Sequence, residues 1–122
     1  MPTTTYKWTQ GTGKLSLDGK DIATGYAGAP GYKNDPAAEQ LHNRGPLPRG
    51  WYTITLIYPS HAKFGPNCCV LTPDRANKMY GRSGFLIHAD SIAHPGQASE
   101  GCIVVDSATR RLFRVGDRLE VV

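Results

Sequence analysis

Apolar positions along the chain alternate with polar ones, or fill runs of four to eight residues, and glycine- and proline-rich stretches separate them. That pattern predicts short strands rather than amphipathic helices. Residues 3–9 are β-branched and aromatic with period two, a first strand. Residues 14–23 read as a hairpin whose Asp18-Gly19 pair supplies the positive φ angles of a tight type I′ turn. Residues 51–58 form the clearest strand. Residues 67–71 form another, ended by Thr72-Pro73, and 84–88 is a short apolar strand that carries a histidine at its end. Residues 101–105 and 117–122 complete the set. Residues 25–50 are glycine- and proline-rich and read as loop, apart from one helical turn over 35–40 with Asp35 as cap and Pro36 in first position. Asp106 or Ser107 caps a second short helix over 108–113. The expected fold is mostly β with one or two short helices.

Composition narrows this to one domain spanning residues 1–122. Hydrophobic residues are 39% and charged residues 20% of 122, enough to build an interior and too few charges for a disordered chain. Fourteen glycines and nine prolines exclude a long helical bundle, and no apolar run is long enough to span a bilayer. The net charge of +4 is dispersed, its densest cluster being Arg110, Arg111 and Arg114, without the basic stripe and interleaved aromatics of a nucleic-acid binder. It suits attraction to an anionic surface such as a carboxylate-rich bacterial wall. Residues 1–7 lack the apolar core of a Sec signal, so work outside the cytoplasm calls for another export route.

The three cysteines are an odd count, and the vicinal pair Cys68–Cys69 is poorly placed to close on itself, so free thiols are expected. On a strand, one of that pair should face the core and the other outward. Cys102 is different. It follows Gly101, whose backbone freedom allows a sharp turn with amide N–H groups aimed at a developing oxyanion. His88 ends a strand fourteen positions earlier, within reach of a neighbouring strand, and the loop over 89–98 is too polar for a core. A cysteine nucleophile needs such a base. Taken singly, a strand-end histidine is commonly structural and an unpaired cysteine commonly buried; the combination favours chemistry. Zinc held by His88, His94 and Cys102 is the rival, but the chain has neither the Cys-x-x-Cys nor the His-x-x-x-His spacing of zinc sites. No metal and no cofactor are expected. His42 and His61 lie in polar loops; Tyr26, Tyr80 and Trp51 belong either to a binding groove or to the packing around it.

Ile87-His88 followed by Ser99-Glu100-Gly101-Cys102-Ile103 resembles the signature of the L,D-transpeptidase catalytic domain. Gly45-Pro46-Leu47-Pro48-Arg49-Gly50-Trp51-Tyr52 is similar to the segment that opens a strand in that fold. Together with Gly81-Arg82-Ser83-Gly84-Phe85, the pattern over residues 25–122 is closest to the type VI secretion L,D-transpeptidase effectors. Many L,D-transpeptidases carry His before the Gly-Cys pair and Arg two residues after the cysteine; here Glu100 and Val104 stand there.

The resemblance implies a single compact L,D-transpeptidase-like β-sandwich or barrel acting on peptidoglycan stem peptides at the diaminopimelate–D-Ala bond. Cys102 would be the nucleophile and His88 the base. The N–H groups of Gly101 and Cys102 would hold the oxyanion, with Ser99 fixing the turn. Arg82 is either a substitute for the missing carboxylate-binding arginine or a tie to loop carbonyls. Ser83 is a further substrate-binding candidate; Asp90 is either another or a turn former. The implied protein is a monomer with no nucleic-acid partner and no membrane span. It would be delivered by a dedicated secretion system into the periplasm of a target bacterium and blocked by an immunity protein. Alternatives are a non-catalytic wall-binding module of the same fold and a phage or host housekeeping wall enzyme.

Overall fold

The computed structural model describes residues 3–122. Nine strands form one mixed sheet: β1 (Thr5–Thr9), β2 (Lys14–Leu17), β3 (Lys20–Thr24), β4 (Tyr26–Ala27), β5 (Gly50–His61), β6 (Gly65–Pro73), β7 (Leu86–His88), β8 (Ile103–Val104) and β9 (Arg118–Val121). Their spatial order is β3-β2-β1-β9-β5-β6-β7-β8-β4. The two edge strands, β3 and β4, are consecutive in the chain and separated by Gly25 alone. Two peptide units span at most about 7 Å, so the sheet must curl until its edges meet. It is therefore barrel-like. Gly25 has to be glycine, because a Cβ there would lie 2.0 Å from the Val104 carbonyl oxygen.

Alternation places the core inside the curl. Tyr6 and Trp8 of β1, Leu119 and Val121 of β9, and Tyr52 and Ile54 of β5 point inward, while Thr5, Lys7 and Trp51 face out. A bulge between Ile54 and Leu56 shifts the phase of β5, so Ile57 rather than Leu56 continues the inner face. Ile87 and Ile103, paired across the parallel β7 and β8, extend this core beneath the cavity described below. Each such fully buried side chain stabilises the fold by about 1.5–3 kcal/mol.

The elements follow the sequence reading closely, with four differences. β5 and β6 form a longer hairpin than expected, running to His61 and from Gly65. Its turn is closed by His61 Nδ1, which accepts from the Lys63 and Phe64 N–H groups at 3.1 and 3.2 Å. Proline at position 59 is tolerated because β5 has no second neighbour beyond Thr53. Strand β4 lies in the stretch expected to be loop. The helix α1 (Ser107–Arg110) is a single turn, capped by Asp106. Lastly, Cys68 and Cys69 are both buried, against the expectation of one outward thiol. α1 packs across the outside of β6, and Arg110 donates to the Pro66 and Val105 carbonyls there. The helical turn at Pro36–Ala38 with its Asp35 cap is as expected. Among the described residues, no helix is long and apolar enough to cross a membrane.

Candidate active site

Five segments converge on a cavity of about 430 Å³: residues 42–43, the β5–β6 turn, residues 81–85, the end of β7, and residues 97–102. His88 enters from β7 and Cys102 from the turn that precedes β8. The parallel register, Ile87 opposite Ile103 and His88 opposite Val104, brings these two elements side by side. Both side chains line the cavity.

Cys102 is the one thiol among the three that reaches solvent. Its Sγ accepts the Leu86 N–H at 3.3 Å. Burial pushes the thiol up to about 11, and that backbone donor opposes the shift. His88 is buried; its Nδ1 lies 2.7 Å from the Ala89 carbonyl oxygen. A carbonyl only accepts, so Nδ1 carries the proton and Nε2 is left as a bare acceptor. Nε2 is buried and has no partner among the described residues. The ring stacks against Phe64, centroids 4.7 Å apart. Burial holds the imidazole below its ordinary 6.5, chiefly by disfavouring the cation. Burial thus favours the neutral form of both groups, and His88 Nε2 makes no hydrogen bond to Cys102 Sγ or to any other described group.

Ser99 organises the turn that carries the sulfur. Its hydroxyl donates to the Cys102 carbonyl at 2.6 Å and accepts from the N–H groups of Gly101 and Gly28 at 3.0 and 2.9 Å. Gly101 has φ +146°, and a Cβ there would meet Arg82 Nη2 at 2.6 Å and Phe85 Cε1 at 2.9 Å. Only glycine fits. Its N–H is occupied by Ser99, so Gly101 supports the turn and does not donate into the cavity. The Cys102 N–H makes no hydrogen bond among the described residues and is left as the donor at this turn.

Arg82 is buried, and both terminal nitrogens are fully engaged. Nη1 donates to the Glu39 and Pro46 carbonyls at 2.5 and 2.9 Å, and Nη2 to those of Gly45 and Glu100 at 2.8 and 3.3 Å. The guanidinium also lies over the Phe85 ring, 5.0 Å from its centroid. Of its two sequence readings, the tie to loop carbonyls is the one realised, and the side chain has no fork left for a carboxylate. Ser83 is exposed on the rim of the cavity. Asp90 does not reach it. Its carboxylate accepts from Tyr26 Oη at 2.6 Å and from the Ser91 and Gly96 N–H groups, closing its own loop, and it lines a separate cavity of about 390 Å³. Tyr26 Oη in turn accepts the Ala98 N–H at 2.9 Å. His94 is exposed on that loop and does not line the cavity.

Sequence reasoning missed Lys63, Phe64 and Phe85. No motif marks the first two; they reach the cavity only because the β5–β6 hairpin is long. His42 also lines it, its Nε2 2.7 Å from the Tyr80 carbonyl oxygen. Trp51 lies elsewhere, on the outer sheet face over Arg118.

This fold is that of the L,D-transpeptidases. The chain superposes on Mycobacterium tuberculosis L,D-transpeptidase 1 with a TM-score of 0.55 at 16% identity, covering 98% of this chain and 62% of that one. For the L,D-transpeptidase of Xylanimonas cellulosilytica the values are 0.57, 19%, 98% and 60%. For M. tuberculosis L,D-transpeptidase 3 bearing a faropenem-derived adduct they are 0.55, 17%, 98% and 60%. The chain spans about three-fifths of the length of these structures. Residues 21–122 match the sequence profile of the Tlde1 domain, and the chain belongs to that family, in agreement with the resemblance read from its motifs. Among curated proteins, none matches the sequence.

Proposed function

We propose that this protein is a peptidoglycan-modifying cysteine enzyme that cleaves stem peptides between diaminopimelate and the following D-Ala. The observation that carries this reading is the buried His88 Nε2, a partnerless acceptor in the same cavity as the single accessible thiol. As Sγ of Cys102 attacks the carbonyl carbon, Nε2 takes the thiol proton and the carbonyl π pair moves onto oxygen. The Cys102 N–H donates to that oxyanion. The imidazolium then protonates the D-Ala nitrogen, the C–N bond breaks, and a thioester remains. Water, deprotonated by the regenerated Nε2, completes a carboxypeptidase cycle; an amine from another stem or a free D-amino acid completes transfer or exchange. Mass spectrometry of muropeptides incubated with the protein tests this. Conversion of tetrapeptide stems to tripeptides, cross-linked dimers or exchanged tetrapeptides is expected, and unchanged stems would overturn it.

The neutral resting pair fixes the pH dependence. Protonating His88 removes the base, and its pKa lies below 6.5, so kcat/KM is expected to stay on a plateau down through 6.5 and fall only at more acid pH. The upper limit of the plateau is the thiol's own ionisation near 11. A pH–rate profile with an acid limb at 7 or above would contradict this assignment.

The Tlde1 membership and the mild positive charge support an antibacterial effector role, with delivery into a neighbour's periplasm and an immunity protein that blocks the cavity. Directed to the periplasm of a bacterial host, the wild-type protein is expected to cause swelling or lysis and the Cys102→Ala form to be harmless. Equal growth with both at matched expression would remove the toxin reading.

A further inference from the structure

We infer that the cavity recognises a zwitterionic α-amino-acid head group, its carboxylate held by Lys63 and its ammonium by Glu100. Besides the reacting His88 and Cys102, the side chains there that carry or can take a charge are Arg82, His42, Lys63 and Glu100. Both terminal nitrogens of Arg82 are occupied by backbone carbonyls, and His42 Nε2 by the Tyr80 carbonyl. The ion pairs among the described residues join Lys14 to Asp21, Arg49 to Glu39 and Arg118 to Asp74, so Lys63 and Glu100 have no ionic partner.

These two residues line the cavity that holds His88 and Cys102. The Lys63 ammonium sits 5.1 Å from the centroid of the Phe64 ring, and that ring stacks on His88. Glu100 lies two residues before Cys102 and lines the same cavity. One unpaired cation and one unpaired anion sharing a cavity select against a ligand of single charge, because it compensates one and leaves the other facing an unpartnered group. A head bearing –NH3+ and –COO– on one carbon compensates both. This inference rests on the proposed reaction, which offers two such heads: the free D-centre of the diaminopimelate side chain and a free D-amino acid acceptor.

The test measures binding by titration calorimetry to the Cys102→Ala protein. The probes are tetrapeptide stems carrying diaminopimelate, its side-chain carboxamide, its N-acetyl derivative or lysine at the third position, with free D-Met as a separate arm. The zwitterionic stem is expected to bind about fivefold more tightly than each singly charged stem, less so at high salt. Adding Lys63→Ala should erase the acid-over-amide preference and keep the amine preference; Glu100→Gln should do the reverse, and Lys63→Arg should retain both. If D-Met alone shows this dependence, the acceptor is the source; if the stems do, the donor is. Both residues are exposed, so a thermal melt verifies folding. The inference is overturned if neither substitution alters discrimination, if both weaken all ligands equally, or if no probe binds. Turnover by the wild-type enzyme is scored separately. An inactive wild type with a head-group preference that tracks Lys63 and Glu100 defeats only the proposed reaction; active enzyme without that preference defeats only this inference.

Discussion

Replacing Cys102 with alanine is expected to reduce D-Ala release from tetrapeptide stems by about 10⁴-fold or more, because no other thiol lines the cavity to form the acyl intermediate. Cys68 and Cys69 cannot substitute, since both are buried, and burial pushes the Cys69 thiol up to about 12. Loss of fold does not explain the effect. The sulfur is only half-buried and accepts a single backbone N–H, so truncation should cost about 1 kcal/mol or less. The variant should therefore melt within a few degrees of the parent and still bind stem peptide. Cys102→Ser should be nearly as inactive, because a neutral imidazole deprotonates a hydroxyl far less readily than a thiol. Intact-protein mass spectrometry should detect an acyl adduct on the wild type and none on either variant. Parental D-Ala release by Cys102→Ala would end the assignment.

Arg82→Ala is expected to destabilise the protein by about 3–5 kcal/mol, since it removes a buried cation that satisfies four carbonyls and leaves a cavity under Phe85. For a domain of this size that corresponds to a fall of roughly 10–20 °C in melting temperature. Arg82→Lys should recover little, because an ammonium has three donors and no planar fork for carbonyls on both sides. Activity should fall too, through displacement of the turn that carries Cys102, which Arg82 ties to residues 39–46. A residue serving only as a substrate-carboxylate contact would behave otherwise, raising KM with the melting temperature unchanged. Differential scanning calorimetry beside steady-state kinetics separates the two roles.

Much of the fold was legible because the local signals agreed with the tertiary answer. The Asp18-Gly19 turn, the Asp35-Pro36 cap and the alternation in β1, β5 and β9 each depend on neighbours in sequence. The exceptions were long-range. β4 has two residues, and only pairing with β8 across the closing sheet makes it a strand. The second buried cysteine of the vicinal pair is explained by a helix that crosses β6 from forty residues away in sequence.

The site divides along the same line. A histidine at a strand end, the Gly-Cys pair and the serine before it could be proposed from residue type and spacing, because a nucleophile, a base and a turn have fixed chemical requirements, and the fold brings them to one cavity wall and its supporting turn. Which hydrogen bonds each donor makes could not. Arg82, Gly101 and Asp90 were reasonable substrate or oxyanion groups until packing showed their donors and acceptors already engaged with Glu39, Ser99 and Tyr26. Lys63 and Phe64 had no signal at all before the hairpin brought them to the cavity that His88 lines. The order of residues alone determined that this chain would be a small, mostly β protein, and offered Cys102 and His88 as the thiol and imidazole of the proposed acyl transfer. The three-dimensional arrangement decided which polar groups remain unpaired, since pairing depends on contacts between residues far apart along the chain.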